Sequence, residues 1–183
     1  MNNVVIILSL LSIAASCRSD AQTKPFKEFK KEISEEAFSK IVDNSPYPIT
    51  GKHISDYKYY PYFELFDNSG VCVQFNISNE AQNEFSNRLK NYEYLNKDLI
   101  EHDDSSYVYV YDNIKIPEVT EEFSELNSNQ LKGNPDVEVY LIGKGKLTDV
   151  FVAQSKNTVY NYTMGIYYYK KFSKLIYWFL VYK

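Results

Sequence analysis

Apolar residues recur along this chain with two different periods, and the change from one to the other marks out its elements. From Pro25 the period is helical. Phe26, Phe29, Ile33, Ala37 and Ile41 fall on one stripe, while Lys27, Lys30, Lys31, Glu35 and Glu36 lie off it. Asn44, Ser45, Pro46 and Pro48 stop that pattern. Tyr57 to Phe66 is aromatic and strand-like, Asp67-Asn68-Ser69-Gly70 supplies turn chemistry, and Val71 to Ile77 alternates. Val71, Val73, Phe75 and Ile77 point one way and Cys72, Gln74 and Asn76 the other, which predicts a hairpin with one wet face. Pro61 has no amide donor, so the first strand either lies at a sheet edge or starts near Tyr62.

Ser78 or Asn79 then caps a second helix, with Ala81, Phe85, Leu89, Tyr92 and Leu95 at near-helical spacing. Glu101 to Ser106 reads as a polar loop leading into a strand at Tyr107 to Tyr111. Pro117 opens a short helix with Val119, Phe123 and Leu126 inward, and Gly133 is its C-cap. Val137 to Ile142 is expected to pair with Leu147 to Ala153 around Gly143-Lys144-Gly145. Thr158 to Tyr169 and Leu175 to Tyr182 form a last hairpin, turning at Lys170 to Lys174. Leu175 to Val181 is apolar on both faces, which places the C-terminal strand inside the sheet. The sum is an α+β domain: a mainly antiparallel sheet of about six or seven strands with two or three helices packed on one face.

Ahead of this domain, Val4 to Ala15 is an unbroken run of apolar residues and serines, ending at Ser16-Cys17 and turning polar at Arg18-Ser19-Asp20. The run is too short for a spanning helix, which takes about 20 residues. It has the length of a signal-peptide core. Ile13-Ala14-Ala15-Ser16-Cys17 resembles a bacterial lipobox. The resemblance implies cleavage before Cys17 and attachment of diacylglycerol to its sulfur. It divides the chain into a signal peptide over 1–16, a lipidated tether over 17–24 and one α+β domain over 25–183. It also places the protein at the cell envelope, held to the membrane by lipid and facing the periplasm or the exterior.

With Cys17 lipidated, the second cysteine, Cys72, has no intramolecular partner and reads as a small buried thiol. A disulfide scaffold is not expected, so the domain must stand on its own core. The 18 tyrosines suit a sheet, whose strands pack an aromatic body while the hydroxyl reaches water. Charge is segregated. Residues 1–63 carry 8 basic and 7 acidic groups, residues 64–140 carry 5 and 16, and residues 141–183 carry 7 and 1, for a net charge of −4. An acidic middle presents either a patch for a basic protein partner or a surface that complements the basic C-terminal hairpins. The acidic total disfavours nucleic acid.

Candidate chemistry is sparse. Asp98, Glu101, His102, Asp103 and Asp104 gather donors that a hard cation could use, but their spacing fits no calcium loop and a solvated loop accounts for them more simply. Tyr57, Tyr59 and Tyr60, with Tyr167 and Tyr169, could stack against sugar rings, against which stands ordinary cross-strand aromatic packing. No Gly-x-Ser-x-Gly elbow and no Gly-rich phosphate loop occurs. No catalytic residue and no cofactor is indicated. The expectation is a non-enzymatic, lipid-anchored binding or interaction protein of the envelope, a class that includes protective proteins of the immunity type. The alternatives are an envelope hydrolase using carboxylates or His102, and a structural component of an envelope assembly joined through an exposed edge at Tyr57 to Phe66.

Overall fold

The computed structural model describes residues 30–31, 33–47, 57–65, 68–103, 108–118, 131–152 and 157–183. The expected signal peptide and tether, Cys17, Asp104 and residues 119–130 of the helix expected from Pro117 lie outside the described residues; Pro117 itself ends a strand and does not open that helix. Within them, helix α1 spans Glu35–Asp43. Ser34 caps it, its Oγ accepting from the Ala37 amide at 3.3 Å, and Glu35 and Glu36 sit in the first turn, where the helix dipole favours them. The stripe expected to run from Pro25 is therefore divided. Lys30 and Lys31 are helical, but Ile33 leaves the helix to bridge Phe151, and the Ser34 amide donates to the Val150 carbonyl at 2.7 Å.

Strands β1 (Tyr57–Leu65) and β2 (Asn68–Asn76) pair antiparallel, with Leu65 opposite Asn68, so Asn68, Ser69 and Gly70 of the expected turn belong to β2. Helix α2 covers Asn79–Leu89. It does not continue to Leu95: the Tyr92 amide folds back to the Leu89 carbonyl at 3.0 Å, and Glu93–Leu95 becomes strand β3. After a short 3-10 turn at Lys97–Leu99 comes β4, Glu101–Asp103, so the expected polar loop is in part a strand. It pairs with β5 (Val108–Tyr111), which pairs with β6 (Ile114–Pro117). Strands β7 (Val137–Thr148), β8 (Val159–Tyr169) and β9 (Lys174–Tyr182) complete the chain. Gly143-Lys144-Gly145 is not a turn. It lies inside β7, where a bulge between Leu141 and Gly143 shifts the pairing with β8.

That bulge has a packing purpose. Val137, Val139 and Leu141 face one core, whereas Leu147, at a position of the same parity, faces the other. One extra residue reverses which side chains point where.

The main sheet has six strands in the order β1-β2-β9-β8-β7-β3, and β4-β5-β6 form a second, three-stranded sheet. All pairs are antiparallel. Strand β9 lies between β2 and β8, as its two dry faces require, and β1 is an edge strand, as Pro61 allows. Alternation along β9 builds two cores. Leu175, Tyr177, Phe179 and Val181 pack beneath α1 and α2 with Ala37, Ile41, Phe85 and Leu89. Ile176, Trp178 and Leu180 pack beneath the small sheet with Val108, Ile114 and Ile116. The fold is thus α+β in three layers. The expected wet face of β2 is corrected: Cys72 and Gln74 are buried on the side that the small sheet helps to cover.

Polar side chains tie the layers together. Thr163 Oγ1 donates to the Lys115 carbonyl at 2.6 Å and Tyr167 Oη to the Pro117 carbonyl at 2.9 Å, pinning β6 over β8. On the other face Tyr177 Oη donates to the Ile41 carbonyl at 3.0 Å. Gly165 makes room for the indole of Trp178, its partner in register; a Cβ there would lie 2.2 Å from the ring.

Candidate functional site

Helix α2 packs on the face of the main sheet that carries Tyr168 of β8. Phe85 and Leu89, one turn apart, are its buried anchors. Phe85 meets the Tyr168 ring edge-on, with centroids 5.1 Å apart. Gln82 reaches past it to bond the Ser173 hydroxyl. Because the chain turns sharply after Leu89 to lay β3 along the sheet margin, a gap remains between the last turns of α2 and strands β3, β7 and β8. It is an open groove of about 740 Å³, walled by Gln82, Ser86 and Lys90 on one side and Tyr94, Glu138, Tyr140 and Lys170 on the other. Tyr92 and Tyr168 contribute to its lining.

The register explains why those residues meet. Glu138 and Tyr140 are two apart on β7 and so share a face, Tyr94 pairs with Tyr140, and Glu138 pairs with Tyr168. Lys170 follows β8, its amide bonded to the Asp136 carbonyl at 2.9 Å. Its Nζ donates to Glu138 Oε1 at 2.6 Å, and Tyr140 Oη donates to Glu138 Oε2 at 2.9 Å. Each carboxylate oxygen therefore holds one internal donor and keeps a lone pair directed elsewhere. Tyr94, half exposed, meets Tyr140 in a T-shaped contact at 5.6 Å. Burial, the hydrogen bond to Glu138 and that carboxylate's charge all hold the Tyr140 phenol above its ordinary value of 10.0. Burial and Glu138 raise Tyr168 as well, with Lys170 opposing them. Both phenols stay protonated at neutral pH. Among the described residues the lining includes one carboxylate, the Ser86 hydroxyl, two lysines and four tyrosines, so it offers hydrogen bonds beside aromatic surface.

The residues singled out from sequence fall elsewhere. Tyr167 and Tyr169 are buried against the small sheet and are unavailable to a ligand. Tyr57, Tyr59 and Tyr60 are placed on the edge strand β1, in register with Phe75, Val73 and Cys72. Asp98 Oδ1 accepts from the Gly133 amide at 3.2 Å, fixing a residue held at φ +72°. Glu101, His102 and Asp103 are strung along β4, which spreads their side chains between its two faces. His102 Nε2 lies 3.2 Å from Glu118 Oε2 and its ring meets Tyr109 at 5.4 Å. Among the described residues no group of three or more His, Cys, Asp or Glu side chains is placed to hold a metal ion. Cys72 is buried and free, and burial pushes its thiol up to about 12, the condition of a structural rather than a reactive cysteine.

Compared with known proteins, the chain matches no family model, no curated protein and no solved structure.

Proposed function

We propose that this is a non-enzymatic, lipid-anchored binding protein of the bacterial cell envelope, held to the membrane through diacylglycerol on Cys17 and presenting the groove beside α2 to its ligand. The anchor reading is supported by the apolar run ending at Cys17. The binding reading is carried by one observation: the Glu138 carboxylate, oriented by Lys170 and Tyr140, beside the half-exposed ring of Tyr94. A few fixed polar groups next to aromatic surface are the usual make-up of a ligand site.

A carboxylate hydrolase needs two such groups facing each other across the substrate, and Glu138 is a single carboxylate in the groove lining. A basic protein partner would find Lys90 and Lys170 in that lining. Strand β1 at the sheet edge supports a second reading, a structural subunit joined edge to edge. Sedimentation of the full chain in detergent separates the two, since the structural reading requires self-association. The binding reading is tested by capture from envelope extract on the immobilised full chain. It requires a retained component that Tyr94→Ala or Glu138→Gln releases, and retention unchanged by both substitutions would contradict it.

A further inference from the structure

We infer that the ligand of this groove is a neutral pyranose chain, an oligosaccharide whose flat C–H face lies on Tyr94 and whose hydroxyls bond the Glu138–Lys170–Tyr140 trio; the inference rests on the binding reading above.

The lining selects against the other common ligands one by one. An apolar molecule gains by excluding water from apolar surface. In an open groove that gain is partial, and seating such a molecule would bury the Glu138–Lys170 ion pair, 25% and 45% exposed, without replacing its solvation. An anion is disfavoured because Lys90, the lining's other lysine, donates to Asn87 Oδ1 at 3.0 Å and sits at the C-terminal end of α2, where the helix carries partial negative charge. Glu138 adds a full one, and Lys170 already spends its charge on Glu138. A cationic ligand meets Lys90 and finds the charge of Glu138 already offset by Lys170.

What is left is a neutral ligand with apolar faces and hydroxyl edges. A pyranose has both. Two neighbouring hydroxyls can address the trio together: one donates to the open lone pair of a Glu138 oxygen, and the next accepts from a remaining Lys170 N–H or donates to Tyr140 Oη. Tyr94 is held in place from beneath by the edge-on contact with Tyr140, so its ring need not be ordered on binding. The groove's 740 Å³ is within the range of about 300–1,000 Å³ typical of small-ligand sites. Its openness suits a chain that passes through more than a single enclosed sugar.

The test is titration calorimetry of the full chain, in a detergent without a sugar headgroup, against cellohexaose, chitohexaose and maltohexaose. At least one should bind saturably. Tyr94→Ala should weaken it about tenfold, the effect of losing one aromatic contact, and Glu138→Gln should weaken it by about tenfold or more, the effect of losing a charged acceptor. Leu99→Ala, at an exposed residue away from the groove, should leave it unchanged. Failure of all three sugars to saturate at millimolar concentration overturns the inference, as does binding that survives both groove substitutions. Envelope capture that persists and depends on the groove while all three sugars fail leaves the binding reading standing and removes only the saccharide.

Discussion

Replacing Tyr177 with phenylalanine removes the hydroxyl that couples the first helix to the last strand, along with its longer contact to Met164 Sδ at 3.8 Å. The Ile41 carbonyl is among the final four of α1, which lack partners within the helix. Its neighbours are satisfied locally: Lys40 O accepts from the Asn44 amide at 3.3 Å and from Asn44 Nδ2 at 2.8 Å, and Val42 O accepts from the Ser45 amide at 3.3 Å. Ile41 O accepts instead from Tyr177 Oη at 3.0 Å, across 136 positions of sequence. Both residues are 0% exposed, so water does not replace the lost donor. Phenylalanine keeps the ring and opens no large cavity. The cost is then that of an unsatisfied buried acceptor, about 1–3 kcal/mol. For a chain of this size it corresponds to a fall in Tm of roughly 2–4 °C per kcal/mol. Urea unfolding at neutral pH should show a lower midpoint at constant m, and hydrogen exchange should quicken in α1 more than in β9. A midpoint unchanged within error, or loss of protection in β9 alone, would refute the coupling.

Three further outcomes follow from the packing. Gly165→Ala places a methyl 2.2 Å from the Trp178 ring and 2.3 Å from the backbone oxygen of Tyr140; urea unfolding should show a loss of about 1–3 kcal/mol or more, and a neutral result would contradict the register of β7, β8 and β9. Thr163→Val and Tyr167→Phe each remove a donor to β6 and should cost about 1–2 kcal/mol, with hydrogen exchange rising first in β4–β6; equal loosening of α1 would count against two separate cores. Stability should also fall at alkaline pH. Burial raises Cys72 from 9.0 to about 12, and burial together with the Glu118 charge raises Tyr109 from 10.0 to about 12, while burial raises Tyr169 and Tyr177 further. Below the unfolded values these groups contribute fully. As pH climbs past 9.0 and 10.0 the unfolded chain gives up protons that the folded one retains, and stability declines through about pH 12. Unfolding free energies equal at about pH 8 and about pH 10.5 would contradict this.

How much of this was legible beforehand depended on whether a residue's partner was near in sequence. The β8–β9 hairpin and the central place of β9 follow from Leu175 to Val181 being apolar at every position, a pattern with only one home in a sheet. The burial of Val71, Val73 and Phe75 was equally plain from alternation. Cys72 and Gln74 misled because what covers them, β4 to β6, comes from a separate stretch whose first strand, Glu101–Asp103, is short and charged. Gly143-Lys144-Gly145 carries turn chemistry, yet β7 uses it for a bulge that only the two cores together demand. Leu95 continues the helical spacing of Phe85 and Leu89 by coincidence of period, and is buried in the opposite core.

The groove was hidden for the same reason. Glu138 and Tyr140 show the two-residue spacing that puts them on one face, but Tyr94 joins them through the β3–β7 register and Lys170 through the end of β8. Neither link leaves a local signal. The tyrosine clusters did stand out, yet in Tyr167-Tyr168-Tyr169 the alternation buries the first and third beneath the small sheet and turns Tyr168 toward the groove.

Intact-mass and fragment analysis of the protein isolated from its native membrane bears most directly on the lipid-anchored reading. A polypeptide beginning at Cys17 with the added mass of a thioether-linked diacylglycerol is the predicted result. A mature chain that begins at another residue, or an unmodified Cys17 on material that stays in the aqueous phase of a detergent partition, would contradict it.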